Sequence, residues 1–277
     1  MPLTKGIICM AKPSRLYKFE SFTSRTLQNI KSQILYFGSP LGFNDPFDCA
    51  VTPNLIELTD DETEAVREYY LSEVRVVGEK REAFITKTTL ELREILQAAA
   101  RSAINQTIDT FLKNRGVTCF SEGNDDLLMW SHYGGRYRGV CLEFDTAFEP
   151  FTKIKPVKYV ERLPQMSVVE TLLDQEFDHV AELFCTKSLS WQYEREWRAI
   201  HAVAGTNYVY PTQALTGVYF GPDIDFAAIE IVCLILGGQN ANVRFYKGTR
   251  STSEFKVLFE QFTYTSYLQA KEQGLRE

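Results

Sequence analysis

Three histidines in 277 residues (His132, His179 and His201), spread along the chain, argue against a multi-histidine metal centre, and the six cysteines (Cys9, Cys49, Cys119, Cys141, Cys185 and Cys233) never fall in a C-x-x-C pair. That spacing argues against zinc and disulfide frameworks, so no metal is expected. Cysteines inside apolar runs, such as Cys141 and Cys233, read instead as small buried hydrophobes. No apolar run approaches the roughly 20 residues of a membrane-spanning helix, and Met1-Pro2-Leu3-Thr4-Lys5-Gly6 has no basic region followed by an apolar core. A cytoplasmic location without membrane contact is the expectation. Also missing are the phosphate-binding G-x-x-x-x-G-K-[ST], the dinucleotide glycine fingerprint, H-E-x-x-H and G-x-S-x-G, which removes the chemistries those motifs carry. There is no excess of positive charge: the formal net charge of -6 argues against a surface built wholly for phosphate backbones and leaves room for a local basic patch.

What is present is ordinary for a globular protein, with 44% hydrophobic and 24% charged residues and enough length to bury a sizeable core. Strand-like patterning predicts strands at Arg15 to Phe19, Gln33 to Phe37, Val117 to Phe120, Gly139 to Phe144, Lys155 to Val160, Glu196 to Val203, Gly217 to Phe220, Val243 to Lys247 and Phe255 to Glu260. Thr23 reads as the N-cap of a short helix carrying Leu27 and Ile30, and Thr59-Asp60-Asp61-Glu62 has capping-box spacing. Helical periodicity predicts a long helix from Thr89 to Lys113, with Gly116 just beyond it, and further helices over Val168 to Leu189 and Phe226 to Leu236. Asn44-Asp45-Pro46 signals a structured turn. Strands do not alternate regularly with helices, so the expected class is α+β with a mixed sheet or split sandwich, a single domain over residues 1–277 with a mostly helical insertion at about 57–115.

The polar and aromatic side chains crowd into a few places. Glu194 and Glu196 lie two residues apart in a segment that favours a strand, where period two would point both at one ligand. The bland alternative is that they pair with Arg195 or Arg198 on a sheet surface. Trp130, His132 and Tyr133 read either as a helix turn packing on the core or as a platform for a flat heterocycle. Tyr17 and Lys18 are half-buried sheet residues or ligand contacts.

Leu16-Tyr17-Lys18-Phe19, Ile34-Leu35-Tyr36-Phe37, Phe43-Asn44-Asp45-Pro46-Phe47-Asp48, Cys119-Phe120-Ser121, Met129-Trp130-Ser131-His132-Tyr133, Gly139-Val140-Cys141-Leu142-Glu143-Phe144 and Tyr193-Glu194-Arg195-Glu196-Trp197-Arg198 together resemble the DUF2971 family. More distantly, the order of an aromatic-basic strand, a serine-bearing strand, an aliphatic strand and Glu-x-Glu is similar to the ADP-ribosyltransferase fold. That resemblance implies a split sheet with NAD in its cleft. It puts Tyr17 and Lys18 where such enzymes carry His or Arg, Ser121 as the last serine of the Ser-Thr-Ser segment, and Glu196 at the catalytic position. Glu194 would handle the incoming nucleophile, Ser121 and Lys18 would hold ribose or phosphate, and Trp130 or Tyr133 would flank a ring. The implied activity is transfer of ADP-ribose from NAD to an acceptor, whether protein, nucleic acid, small molecule or water. A role in microbial conflict or phage defence follows by analogy alone. Two alternatives stay open: a noncatalytic nucleotide-sensing or protein-binding module, and a carboxylate-dependent nuclease using Glu143 or Asp145.

Overall fold

A computed structural model describes residues 11–49, 54–72, 76–173 and 182–274. Met1 to Gly6, Cys9, His179 and residues 174–181 of the helix predicted over Val168 to Leu189 lie outside the described residues. The strands are β1 (Arg15–Glu20), β2 (Ile34–Phe37), β3 (Asn54–Ile56), β4 (Gly116–Ser121), β5 (Val140–Asp145), β6 (Lys155–Pro156) and β7 (Lys158–Val160). They continue with β8 (Gln165–Ser167), β9 (Thr186–Ser188), β10 (Glu196–His201), β11 (Thr206–Val209), β12 (Leu215–Phe220), β13 (Arg244–Arg250) and β14 (Val257–Phe262). The α-helices are α1 (Ser24–Lys31), α2 (Asp60–Ser72), α3 (Gly78–Thr86), α4 (Thr89–Asn114), α5 (Leu127–His132), α6 (Val168–Leu173), α7 (Phe226–Gly237) and α8 (Tyr267–Glu272). The class is mixed α and β with one large mixed sheet. Among the described residues, no helix is long and apolar enough to cross a membrane.

The chain forms two compact units, one of Met1–Gly38, Gly116–Val157 and Ser190–Glu277, the other of Ser39–Arg115 and Lys158–Leu189. The first holds an eight-stranded sheet in the order β14-β13-β12-β5-β1-β4-β10-β6. Within this sheet, among the described residues, only β12 and β13 pair in parallel. A parallel pair needs a crossover, and α7 lies in the chain between them. Alternation sends Leu16, Phe120, Leu142, Phe144, Trp197, Val218 and Phe220 to one face, where they are buried with Ile30 of α1 and Ile229, Val232 and Leu236 of α7. Each such side chain contributes about 1.5–3 kcal/mol by leaving water. Thr23 caps α1 as its spacing suggests, accepting a hydrogen bond from the Thr26 N–H.

The opposite face carries Tyr17, Phe19, Cys141 and Tyr219, covered in part by Met129 and Trp130 of α5. Asp126 caps α5 by accepting from the Leu128 and Met129 N–H groups at 2.8 and 3.0 Å. The chain then turns sharply at Gly134, where a Cβ would stand 2.5 Å from the Trp130 ring, and Gly139, where one would stand 2.2 Å from the Glu20 carbonyl oxygen. Only glycine allows the α5 segment to press this close to the end of β1.

The second unit is built on α4, which buries Leu92, Leu96, Ala100, Ile104 and Ile108. Capping boxes stand at the head of α4, between Thr88 and Glu91, and at the head of α2, between Thr59 and Glu62. Phe111 stacks on Phe184, and Lys187 forms a buried ion pair with Asp48 at 3.3 Å.

Three sequence expectations change. The strand read over Lys155 to Val160 divides into β6 and β7, because the Val157 N–H bonds the Glu196 carbonyl whereas the Lys158 N–H bonds that of Cys185. The helix read over Val168 to Leu189 cannot run its full length, since Thr186–Ser188 is strand β9 paired with β7. Glu194 does not share a strand with Glu196. It ends a 3₁₀ helix over Leu189–Glu194, and Arg195 takes a left-handed φ of 44°, so period-two alternation stops there.

Candidate functional site

Sheet register gathers residues that lie far apart in the chain. Tyr17 is opposite Glu143 on β5 and opposite Ser121 on β4, and Ser121 is opposite Glu196 on β10. Cross-strand partners share a face about 5 Å apart, so Glu143, Tyr17, Ser121 and Glu196 form one row across four strands. Between β1 and β4 the register holds at a single pair, Tyr17 with Ser121, whereas β1 and β5 pair over six residues. The two strands therefore part beyond Tyr17. Lys18 points to the other face at this gap, its Nζ 3.5 Å from the Cys119 carbonyl, 3.5 Å from Glu20 and 5.7 Å from the Phe120 ring centre.

At one end of the row, the buried Glu143 carboxylate accepts from the hydroxyls of Thr216 at 2.6 Å, Tyr219 at 2.7 Å and Tyr17 at 3.4 Å. Arg244 and Arg15 approach it at 3.3 and 3.7 Å. Burial first, and then the charge of Glu143, raise the Tyr17 phenol to about 12. The same causes, with a direct hydrogen bond to Glu143, push Tyr219 up further. Both phenols are therefore donors at neutral pH.

At the other end, Arg198 grips both oxygens of Glu196 at 2.8 and 3.0 Å, with the two side chains only 0% and 5% exposed. Burial, then the charge of Glu196, push the neighbouring Cys119 thiol up. Ser121 is buried, and its Oγ accepts from the Gly123 N–H at 3.3 Å, leaving its own O–H to donate. Tyr133 donates to the buried Glu194 at 2.6 Å.

Tyr133 also lines a cavity of about 410 Å³ at the end of β1, with Lys18, Glu20, Arg25, Tyr36 and His132. The volume falls within the usual range for small-molecule pockets. The Arg25 guanidinium lies 3.9 Å from the Tyr36 ring centre. Among the described residues, no group of three or more His, Cys, Asp or Glu is arranged to hold a metal ion.

Residues 129–199 match DUF2971, a family described as proteins of unknown function. No curated protein and no solved structure matches the chain. The DUF2971 match takes in β5 and most of α5 and β10, and with them Tyr133, Glu143, Glu194, Glu196 and Arg198. Tyr17, Lys18 and Ser121 lie before it in the chain and reach the same neighbourhood through strand order.

The sequence-predicted residues fare differently. Tyr17, Ser121 and Glu196 share the row, and Tyr133 meets Glu194. Trp130 is withdrawn: it is fully buried, with its ring edge-on to Phe19 and its Nε1 donating to the Asn124 carbonyl at 2.7 Å, so it has no free face for a ligand ring. Lys18 sits on the face opposite Tyr17, because neighbours along a strand point to opposite sides. Sequence reasoning missed Glu143 as the partner of Tyr17, and also Arg25 and Tyr36. Arg198 stood two residues from Glu196, and that period-two spacing was the signal for their pairing.

Proposed function

We propose that this protein binds NAD where β1 and β4 part and transfers ADP-ribose from it, with Glu196 as the carboxylate at the nicotinamide ribose. The observation that carries this reading is the register row of Tyr17, Ser121 and Glu196 on three adjacent strands. It matches the order of first-strand, serine and glutamate positions that the resemblance to ADP-ribosyltransferases implies. The single pairing of β1 with β4 supports a split-sheet arrangement of that kind.

In this reading the bond between the ribose C1′ and the nicotinamide nitrogen breaks, nicotinamide leaves with the electron pair, and the ribose gains oxocarbenium character. Glu196 answers that positive charge. An acceptor nucleophile attacks C1′ and loses its proton to Glu194, which Tyr133 holds in place. Tyr17, fixed by Glu143, and Ser121 offer hydroxyl donors to the ribose. Tyr133 supplies the ring face that Trp130 cannot. The acceptor is a protein, nucleic acid, small molecule or water.

A noncatalytic nucleotide-binding module is the second reading. The bidentate Arg198 clamp on Glu196 and the burial of Ser121 favour it. Incubation with labelled NAD and cell lysate separates the two. Transfer of label supports the transferase, whereas stabilisation by NAD with neither label transfer nor nicotinamide release supports the binding module.

A further inference from the structure

We propose that the cavity at the end of β1 is the phosphate site of a nucleotide, with Arg25 as its anion anchor. Its assignment to NAD rests on the function proposed above; its preference for phosphate stands on the cavity itself. Among the described residues, Arg25 has no carboxylate partner, and its guanidinium carbon stands over the ring of Tyr36 at 3.9 Å. A guanidinium held over an aromatic ring keeps N–H groups available for a planar or tetrahedral anion. Lys18 supplies a second cation from β1, offset by Glu20 at 3.5 Å, so the carboxylate leaves the pair near neutral and Arg25 sets the sign of the cavity. Thr23, the N-cap of α1, and Thr26, in its first turn, line the same space, where the helix dipole adds to the attraction for negative charge. The volume of about 410 Å³ exceeds what one phosphate needs, and the rings of Tyr36 and Tyr133 and the amide of Asn29 give a base or ribose flat and polar neighbours. A cation, ring faces and hydrogen-bonding groups around one small space fit a phosphorylated nucleoside better than a bare anion or an apolar molecule.

Isothermal titration calorimetry with ADP-ribose, ADP and adenosine tests this on the full chain. Wild type should bind the two diphosphates more tightly than adenosine. Arg25→Ala should weaken ADP-ribose and ADP at least about 10-fold, the effect of losing one charge-assisted hydrogen bond, and leave adenosine unchanged. Arg25 is exposed, so the variant should keep the wild-type melting temperature. Arg25→Lys should restore only part of the affinity, because an ammonium lacks the planar fork of N–H donors that a guanidinium presents to an anion. Diphosphate affinity unchanged in Arg25→Ala overturns the proposal, as does wild type that binds neither diphosphate at millimolar concentration. The two readings fail separately. Diphosphate binding that depends on Arg25 without nicotinamide release removes the transferase and leaves the anion site, whereas NAD turnover with an unchanged KM in Arg25→Ala does the reverse.

Discussion

Replacing Arg198 by methionine removes one partner of a pair whose side chains are 0% and 5% exposed. The substitution leaves the Glu196 carboxylate buried without the guanidinium that held both its oxygens. Breaking a buried pair in this way costs about 3–5 kcal/mol, a large fraction of the roughly 5–15 kcal/mol that holds a typical domain together. Glu196→Gln preserves volume and keeps one acceptor, but it leaves the fully buried Arg198 guanidinium without its carboxylate and sets an amide N–H against one of its donors, so a similar cost of about 3–5 kcal/mol is expected. The double variant should be more stable than the sum of the single losses, because neither half of the buried ion pair remains without the other, and a coupling of at least about 2 kcal/mol is expected. All three tryptophans, Trp130, Trp191 and Trp197, lie in the unit that contains the pair, so urea unfolding followed by tryptophan fluorescence reports on that unit. Losses below about 1 kcal/mol for both single variants, with no coupling, would refute the reasoning. The same data bear on function, because the activity of Glu196→Gln has meaning only when scaled to the folded fraction.

Tyr219→Phe removes a 2.7 Å hydrogen bond to the Glu143 carboxylate and should cost about 1.5–3 kcal/mol, whereas Tyr17→Phe, at 3.4 Å, should cost less than about 1 kcal/mol. Equal losses in urea unfolding would contradict the assigned geometry. Asp145 is held below the usual carboxylate range by the Ala147 N–H and by Arg15. A carboxylate depressed in the folded state stabilises above its unfolded value of about 3.9 and loses that contribution as pH falls through the folded value. The stability gap between wild type and Asp145→Asn should therefore be steady near neutral pH and shrink in acid; a gap independent of pH down to about 2 would count against the contact.

Much of the sheet is legible along the chain because β4, β5 and β10 are short runs rich in apolar and aromatic residues, buried along most of their length, as strands covered on both faces are. The long helix α4 announces itself through its apolar stripe and its cap. Strand order is another matter. That Ser121 stands between Tyr17 and Glu196 depends on pairings across about 100 and 75 residues, which no local pattern encodes. The parallel pairs β3 with β8 and β7 with β9 are three residues long, too short for any period to show. Glu194 was misread for a local reason, since a single left-handed residue at Arg195 ends the alternation. Trp130 illustrates the ambiguity of aromatic residues, whose sequence signal is the same in a core and in a binding platform.

The most direct measurement is the initial rate of nicotinamide release from NAD by wild type, Glu196→Gln and Glu194→Gln, each scaled to folded protein. If Glu196 stabilises the oxocarbenium, its variant should bind NAD with little change and release nicotinamide about 100-fold more slowly or worse, while Glu194→Gln should impair transfer to an acceptor more than release. A wild type that releases no nicotinamide, or a Glu196→Gln variant as fast as wild type, would contradict the assignment.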